Sequence, residues 1–234
     1  STSVFIRLRI CSRGTLMQGQ ALFFSLWQAS IETFYMVAIS TFIAVLLGLP
    51  LGLLLVVTAP GNILDHPSLY KVFSTFVNTG RSFPFIILLV VLTPVTRFIV
   101  GTSIGSTAAL VPLSLAAIPF FARIAETSVL EVDKGLIEAA QAMGCNFWQI
   151  IYKVLIPEAL PALVLGITIL IVSLLNSSAM AGAVGGGGLG NLAIQYGYQR
   201  FDVGVMFTTI LILIILVQVI QFLGDLLAYK LRKK

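Results

Sequence analysis

Long apolar stretches without charge follow one another along this chain, separated by short polar or charged segments. The four longest of them cover residues 33–58, 98–122, 159–199 and 203–224. About 20 apolar residues cross the roughly 30 Å hydrocarbon core of a bilayer as a helix. The pattern therefore predicts an all-α polytopic membrane protein.

Five helical spans account for these stretches. The uncharged stretch 159–199 is too long for one crossing, and the glycines at 185–188 interrupt it. A glycine-rich, non-helical stretch and then a short re-entrant or surface segment are therefore expected after the fourth span. In chain order the spans are expected over residues 33–58, about 82–96, about 106–122, about 160–181 and 203–224.

Two features of the first span stay open at this point. Gly48 and Gly52 flank Pro50, and this pattern either kinks the helix or lets a neighbouring helix pack closely, or it reflects only that glycine and proline are common in membrane helices. Glu32 lies just before the span and is interpreted as a charge at the membrane interface.

Composition argues against an ordinary soluble domain. Of the 234 residues, 58% are hydrophobic and 10% are charged, whereas soluble domains carry about 25% charged residues. We expect one transmembrane domain over residues 17–234, preceded by a disordered N-terminal extension over residues 1–16. Cys11 and Cys145 lack the spacing of a disulfide or zinc site, and no metal site is expected.

The basic residues predict the orientation in the membrane. If the C-terminus is cytoplasmic, nine of the 14 Lys and Arg residues lie on the cytoplasmic side and five on the other. Cytoplasmic loops carry an excess of Lys and Arg. The N-terminus is therefore expected outside and the C-terminus in the cytoplasm, which makes the loop at residues 124–158 cytoplasmic.

Charge is concentrated in and next to that loop. Eight of the 23 charged residues fall between Arg123 and Glu158. A chain this apolar is expected to gather charge only where the segment meets water, and a partner there would explain it further.

The loop itself predicts two short helices. Asp133 caps the first, over residues 133–143, and Gly144 ends it in the left-handed conformation. Asn146 caps the second helix, which Pro157 is expected to terminate. We call residues 133–157 the knob; on these grounds alone it is either a docking surface or a water-exposed hairpin without a partner.

One spacing within the knob is specific. Glu138-Ala139-Ala140 is followed after three residues by Gly144, and after a further nine by V-L-I-P, which ends at Pro157. The pattern resembles the E-A-A loop of permease subunits of ATP-binding-cassette importers, with conservative changes at two aliphatic positions. The resemblance implies coupling helices that dock into a groove on the ATPase subunit. In that contact it places Glu138, Ala139, Ala140, Gly144 and Pro157.

Further stretches, from about residue 30 to 230, resemble the permeases of methionine-uptake importers. They include R-S-F-P-F-I-I-L-L from Arg81, V-G-T-S-I-G from Val100 and S-A-M-A-G-A-V-G from Ser178. The resemblance implies a type I importer transmembrane domain with five helices per subunit, in the bacterial inner membrane. It also implies import of L- and D-methionine by alternating access.

The same resemblance implies the partners. They are a second copy of this chain, two ATP-binding-cassette ATPase subunits and an extracytoplasmic methionine-binding lipoprotein. The sequence contains no G-x-x-x-x-G-K-[S/T] phosphate-binding motif, so the chain is not expected to be the enzyme. ATP and magnesium are expected on the partner ATPase, and no cofactor is expected in this chain.

Candidates for the transport pathway lie near the end of the fourth span: Asn176, Ser177, Ser178 and Met180. Irregular backbone at membrane depth is tolerated only where protein or a cavity covers it. Met180 is interpreted as a gate residue, with a packing methionine as the alternative. Asn176 is expected to hydrogen-bond across the dimer or to bind substrate.

Other functions stay open. A permease for another amino acid or small metabolite fits the same motifs. An ATP-independent secondary transporter would need ionisable residues within the spans, and the spans are nearly free of them. A membrane scaffold would leave the E-A-A spacing without a cause.

Overall fold

Helices make up the fold, and no β-strand occurs in the described part of the chain. The computed structural model describes residues 2–62 and 64–232, with the side chains of residues 22–62 and 64–232. Two π-helical turns, Ile151–Leu155 and Ala193–Gln199, continue α7 and α9. The helices are α1 (Thr2–Thr58), α2 (Pro67–Ser82), α3 (Phe85–Val91), α4 (Thr93–Val100), α5 (Ser106–Leu130), α6 (Lys134–Ala142), α7 (Phe147–Ile150), α8 (Ile156–Ala183), α9 (Gly188–Leu192) and α10 (Val203–Arg232).

Within the described residues, four helical stretches are long and apolar enough to cross a membrane. A fifth span results if α2 and α3, which meet at a 96° bend, count as one broken span. The first, third, fourth and fifth predicted spans each fall inside one of the four stretches. These stretches are Leu22–Thr58, Ser106–Leu130, Phe147–Ala183 and Val203–Arg232.

The second predicted span, about residues 82–96, is not a single helix. Phe83 is extended (φ −76°, ψ 125°), as expected for a residue that precedes proline, and this separates α2 from α3. A second break falls at Leu92. Pro94 lies in the first turn of α4, where its missing N–H costs no hydrogen bond.

The first helix extends further toward the N-terminus than the first predicted span. α1 is assigned from Thr2, and its apolar, described part begins at Leu22. The predicted disordered extension, residues 1–16, lies outside the part of the chain with described side chains and stays a prediction.

Close packing of α1 against α5 explains the glycines of the first span. A Cβ added at Gly52 would lie 2.6 Å from the carbonyl oxygen of Ala122, and one at Gly48 would lie 2.9 Å from that of Ile118. Small residues let membrane helices approach in this way. Of these interpretations, close packing is therefore confirmed, and α1 continues unbroken through Pro50.

The helices α1, α5 and α8 form the centre of the fold, and α5 and α8 run antiparallel. Gly166 of α8 faces Ile124 of α5, whereas Ala181, near the end of α8, lies with Ala108 at the start of α5. The core between the three helices contains the fully buried side chains of Met36, Leu113, Phe121 and Leu170.

A buried ion pair fixes α2 against α5. Glu126, only 2% exposed, pairs with Arg123 on the same helix. Its other carboxylate oxygen accepts a hydrogen bond from the Tyr70 hydroxyl at 3.2 Å, and Arg123 donates to the Asn78 side chain at 3.1 Å. A buried carboxylate needs such partners, and Tyr70 and Asn78 connect this ion pair to α2.

Pro157 does not terminate the second knob helix, so that prediction is wrong. The helix continues from Phe147 to Ala183, and Pro157 lies in the first turn of α8. The π-helical turn Ile151–Leu155 comes directly before it. This wider turn accommodates the ring, which would clash with the carbonyl group of the preceding turn in a regular α-helix.

Candidate functional site

Hydrogen bonds between near neighbours in sequence build the first half of the knob. The Asp133 side chain accepts a hydrogen bond from the backbone N–H of Gly135 at 2.9 Å. At the other end of α6, Gly144 has φ +79°, and its N–H donates to the carbonyl oxygen of Gln141 at 2.9 Å. The predicted cap and the predicted left-handed glycine are both confirmed.

The second half begins with a reciprocal capping box. The Asn146 side chain accepts from the Gln149 N–H at 2.9 Å, and the Gln149 side chain accepts from the Asn146 N–H at 2.8 Å. The predicted Asn146 cap is confirmed, and Gln149 is a further member that its position three residues later could have revealed. The two knob helices therefore have fixed starting points.

Large apolar side chains are exposed on the knob. Met143 is 77% exposed and Trp148 is 62% exposed, and Leu136 and Tyr152 are also exposed. The rings of Trp148 and Tyr152 stack with 6.2 Å between their centroids. The same segment carries exposed charges, so this face of the knob is not covered by the apolar bundle of one chain. Its uncovered aromatic and methionine side chains suit a protein partner.

The structure separates the five predicted contact residues into two groups. Glu138, Ala139, Gly144 and Pro157 are exposed. Ala140 is 2% exposed and packs inward with the core. The small size of Ala140 therefore lets α6 lie close to the rest of the chain, whereas Ala139 is open to a partner.

The predicted pathway residues point to different sides of α8. Asn176 and Met180 lie one helical turn apart and are both exposed, and no hydrogen bond to the Asn176 side chain occurs among the described residues. Ser177 lines a cavity. Ser178 is buried, and its hydroxyl donates to the carbonyl oxygen of Leu175 at 2.8 Å, so the structure does not bring it to the exposed face.

The cavity beside Ser177 lies between α8, α5 and the junction of α2 with α3. Its volume is about 220 Å³. Arg81 contributes a guanidinium group, whose central carbon lies 5.9 Å from the centroid of the Phe120 ring. The lining residues are Gly80, Arg81, Phe83, Phe85, Ala116, Ala117, Phe120, Leu170, Ser173, Leu174 and Ser177.

Glu32 and Thr33 fix the segment that follows α8, which we call the glycine-rich segment (residues 184–199). A carboxylate oxygen of Glu32 accepts from the N–H of Gly188 at 2.8 Å, and the Thr33 hydroxyl accepts from the N–H of Leu189 at 2.9 Å. Glu32 is therefore more than the interfacial charge suggested by its position. A lone acidic residue before an apolar span was the available signal, but it does not identify the partner.

The glycine-rich segment is not a surface loop. Gly188, Leu189, Gly190 and Leu192 are buried, and the N–H of Gly105 donates to the carbonyl oxygen of Gly185 at 2.9 Å. The predicted interruption after the fourth span is present, since α8 ends at Ala183. The segment turns back into the bundle and packs against α1 and α8.

No group of three or more His, Cys, Asp or Glu side chains arranged to hold a metal ion occurs in residues 22–62 and 64–232. The candidate functional site consists of the exposed knob, the helix that continues from it, and the polar groups beside that helix.

Comparison with known proteins gives one family and a consistent set of relatives. The family described as binding-protein-dependent transport system inner membrane component matches residues 48–233. A probable D-methionine transport system permease protein, MetI of Vibrio cholerae, is 52% identical over 199 residues, covering 85% of this chain and 88% of that protein. The methionine import system permease protein MetP of Bacillus subtilis is 46% identical over 209 residues, 89% of this chain and 94% of that protein.

Solved structures show the same likeness. An inward-facing conformation of the MetNI methionine ABC transporter contains a chain that is 49% identical, with a TM-score of 0.89 over 90% of this chain and 98% of that one. An amino acid ABC transporter crystallised with histidines matches with a TM-score of 0.68 and 20% identity over 94% of this chain and 96% of that one. The second match supports the fold alone.

Proposed function

The chain belongs to the family of binding-protein-dependent transport system inner membrane components, and we propose that it forms the membrane pathway of an ATP-driven methionine importer. The proposal rests on the likeness to methionine permeases in sequence and in structure. A type I importer fold with a separate ATPase subunit accounts for the all-helical chain. The chain is a permease subunit and not an enzyme.

The single observation that carries the mechanism is the continuity between the knob and the pathway helix. α7, the π-helical turn and α8 form one helix from Phe147 to Ala183. Trp148 is exposed at one end, and Asn176 and Met180 are exposed near the other. A displacement applied to the knob is therefore transmitted along a stiff element to the candidate gate.

The driving force comes from a partner in this scheme. ATP closes the two ATPase subunits, which brings the two knobs of a permease dimer together and opens the pathway outward; hydrolysis restores the inward-open state. Binding energy can shift such an equilibrium only through different affinities for the two states. Glu138, Ala139 and Gly144 face the ATPase, while Ala140 and Pro157 shape the knob.

The assembly consists of two copies of this chain, two ATPase subunits and an extracytoplasmic methionine-binding lipoprotein, in the inner membrane. ATP and magnesium bind to the ATPase. The N-terminus lies outside and the C-terminus in the cytoplasm. Of the most apolar 18 residues of each helix, 56% are buried in α5 but 11% in α10 within one chain, which leaves α10 uncovered for lipid or for the second copy.

Met180 narrows the pathway as a gate, and Asn176 hydrogen-bonds to the second copy or to the substrate. Both side chains are exposed in the single chain, and an unpaired amide within a membrane span requires a partner. Ser177 lines the cavity between α8, α5 and the junction of α2 with α3. Ser178, which is buried, supports the helix.

A transport assay tests this function. The permease is reconstituted in liposomes with its ATPase and binding protein, and uptake of labelled L- and D-methionine is measured against a complex whose ATPase cannot hydrolyse ATP. ATP-dependent accumulation of methionine is the expected result. Accumulation of other amino acids without methionine would support the alternative substrate class. Uptake by the permease without any ATPase would support a secondary transporter.

A further inference from the structure

Arg81, near the end of α2, lines a cavity between helices of the bundle. The cavity that it lines is formed on α5 by Ala117 and Phe120, which are next to the midpoint of Ser106–Leu130. On α8 the cavity includes Leu170, next to the midpoint of Ile156–Ala183. Phe120, which the guanidinium group contacts, lies one turn before the Arg123–Glu126 ion pair. If these helices cross the membrane, the group is placed within it, in the half nearer the knob.

A cation at that depth is costly and persists where it faces a cavity, a partner or the protein interior. The ion pair within the described residues joins Arg123 to Glu126, and none joins Arg81 to a carboxylate in that part of the chain. Within the described residues, the guanidinium group of Arg81 lies over the ring of Phe120. Arg81 therefore offers an uncompensated positive charge to the cavity.

The remaining wall of the cavity is both apolar and hydroxyl-bearing. Phe83, Phe85 and Leu174 supply apolar surface, and Ser173 and Ser177 supply hydroxyl groups from successive turns of α8. A cavity of about 220 Å³ is smaller than the roughly 300–1,000 Å³ of drug-sized ligand sites. Its chemistry suits a small molecule with one carboxylate, one hydrogen-bonding polar group and a short apolar side chain.

We propose that Arg81 binds the carboxylate of an apolar amino acid on its way through the membrane, with Ser173 and Ser177 beside its ammonium group. This subsite rests on the proposed transport function and assigns it a recognition residue within the permease itself. Arginine suits the task because its planar fork binds a carboxylate through two hydrogen bonds. Ser177 follows Asn176 on α8 but lines the cavity, so the subsite lies at the same level of the helix as the candidate gate and on a different side.

The first experiment measures uptake of labelled methionine and ATP hydrolysis by the complete reconstituted complex. Arg81→Gln is expected to lower uptake roughly tenfold to a hundredfold, the scale of a lost charge-assisted hydrogen bond, while hydrolysis changes less than about twofold. Arg81→Lys keeps the charge and is expected to restore part of the uptake. Arg97→Gln removes an exposed arginine that does not line the cavity, and it is the matched control.

The second experiment measures binding directly. The permease–ATPase complex without binding protein is placed in nanodiscs and dialysed against labelled methionine, with methioninol, which lacks the carboxylate, as competitor. The wild-type complex is expected to bind more labelled methionine than the Arg81→Gln complex. Methioninol is not expected to displace the additional methionine that the wild type binds. Ser177→Ala is expected to weaken this binding with less effect than Arg81→Gln.

The outcomes separate this proposal from the transport function. A wild-type complex that takes up no methionine contradicts the function itself. If the wild type transports, equal uptake by Arg81→Gln overturns the subsite, and so does a parallel loss of uptake and hydrolysis, which indicates a structural role. A difference between the two proteins that appears only when phosphatidylglycerol is added to neutral liposomes identifies a lipid headgroup as the anion and also overturns it.

Discussion

The knob and the glycine-rich segment are held in place in opposite ways. In the knob, the stabilising side-chain bonds join residues two or three positions apart, as in Asp133 with Gly135 and Asn146 with Gln149. In the glycine-rich segment they join residues 156 positions apart, Glu32 with Gly188 and Thr33 with Leu189. The side-chain hydrogen bonds that shape the knob are therefore local, whereas those that hold the glycine-rich segment come from a helix far away in sequence.

This difference corresponds to what each region can do. A locally built unit keeps its shape while it moves, which suits a surface that receives a displacement from a partner. The glycine-rich segment follows α8 and is bonded to α1, so it links these two helices. It must either move with both or lose its hydrogen bonds. Changes in the glycine-rich segment should therefore affect folding, and changes in the knob should affect function in a folded protein.

The largest effect is expected from Gly190→Val in the glycine-rich segment. A Cβ at Gly190 would lie 2.5 Å from the carbonyl oxygen of Ala179, and backbone cannot yield as a flexible side chain does. Overpacking of this kind costs about 1–3 kcal/mol, and more where backbone must shift. We expect little monodisperse protein after detergent extraction, measured by size-exclusion chromatography.

Gly204→Ala is the control for that variant. Gly204 lies in the first turn of α10, where the nearest atom to an added Cβ is an Asp202 carboxylate oxygen at 3.4 Å. The substitution should leave the yield unchanged or raise it. If both variants extract equally well, the glycine-rich segment does not require a glycine for close approach.

These two regions also show how far the sequence could predict the structure. The knob could be predicted because helix caps and left-handed glycines follow fixed short spacings. Asp133, Gly144 and Asn146 could therefore be assigned from residue type and order. The fold class and four spans followed from apolar length alone. The partners of Glu32 could not be predicted, since no local rule connects it to Gly188. Pro157 was misjudged because a π-helical turn compensates for it.

For the candidate pathway, the sequence indicated the correct helix but not which side of it each residue faces. Asn176 and Met180 are exposed and Ser178 is buried, a distinction set by how α8 packs against α1 and α5. The cavity beside Arg81 combines residues from four helices and has no signal in any single stretch. Sequence patterns identify single helices, whereas a site between helices can be found only when the packing of those helices is known.

Gly144→Pro should give the next largest effect, this time in a folded protein. Proline fixes φ near −65° and lacks an N–H, but Gly144 has φ +79° and donates to Gln141. A proline in a conformation that does not fit costs about 3 kcal/mol or more. We expect normal extraction, with loss of ATPase co-purification or hydrolysis without methionine uptake.

Gly144→Asn provides the comparison, because asparagine adopts the left-handed conformation more readily than other side chains. An added Cβ at Gly144 meets no atom within 4 Å, so the side chain itself is accommodated. This variant should retain most of the uptake. Full coupling in Gly144→Pro would contradict the role of the knob.

Glu32→Ala should destabilise the protein by a smaller amount than Gly190→Val. It leaves the N–H of Gly188 without its acceptor, at a cost of about 1–3 kcal/mol for a buried group. Glu32→Gln keeps an acceptor oxygen and should lose less. The midpoint of thermal unfolding in detergent checks the order wild type, Gln, Ala; equal midpoints for Gln and Ala would show that charge, and not the hydrogen bond, matters there.

The smallest effect is expected from Asn146→Ala, and it tests whether the knob is locally built. Removing an N-cap costs about 1 kcal/mol, and here it should fall on the knob alone. Amide hydrogen exchange should increase roughly fivefold over residues 147–150, with the exchange of α5 and of the glycine-rich segment unchanged. Gln149→Ala keeps the bond that Asn146 accepts and should have a smaller effect. Faster exchange in the glycine-rich segment would show that the two regions are coupled, contrary to the separation that their hydrogen bonds indicate.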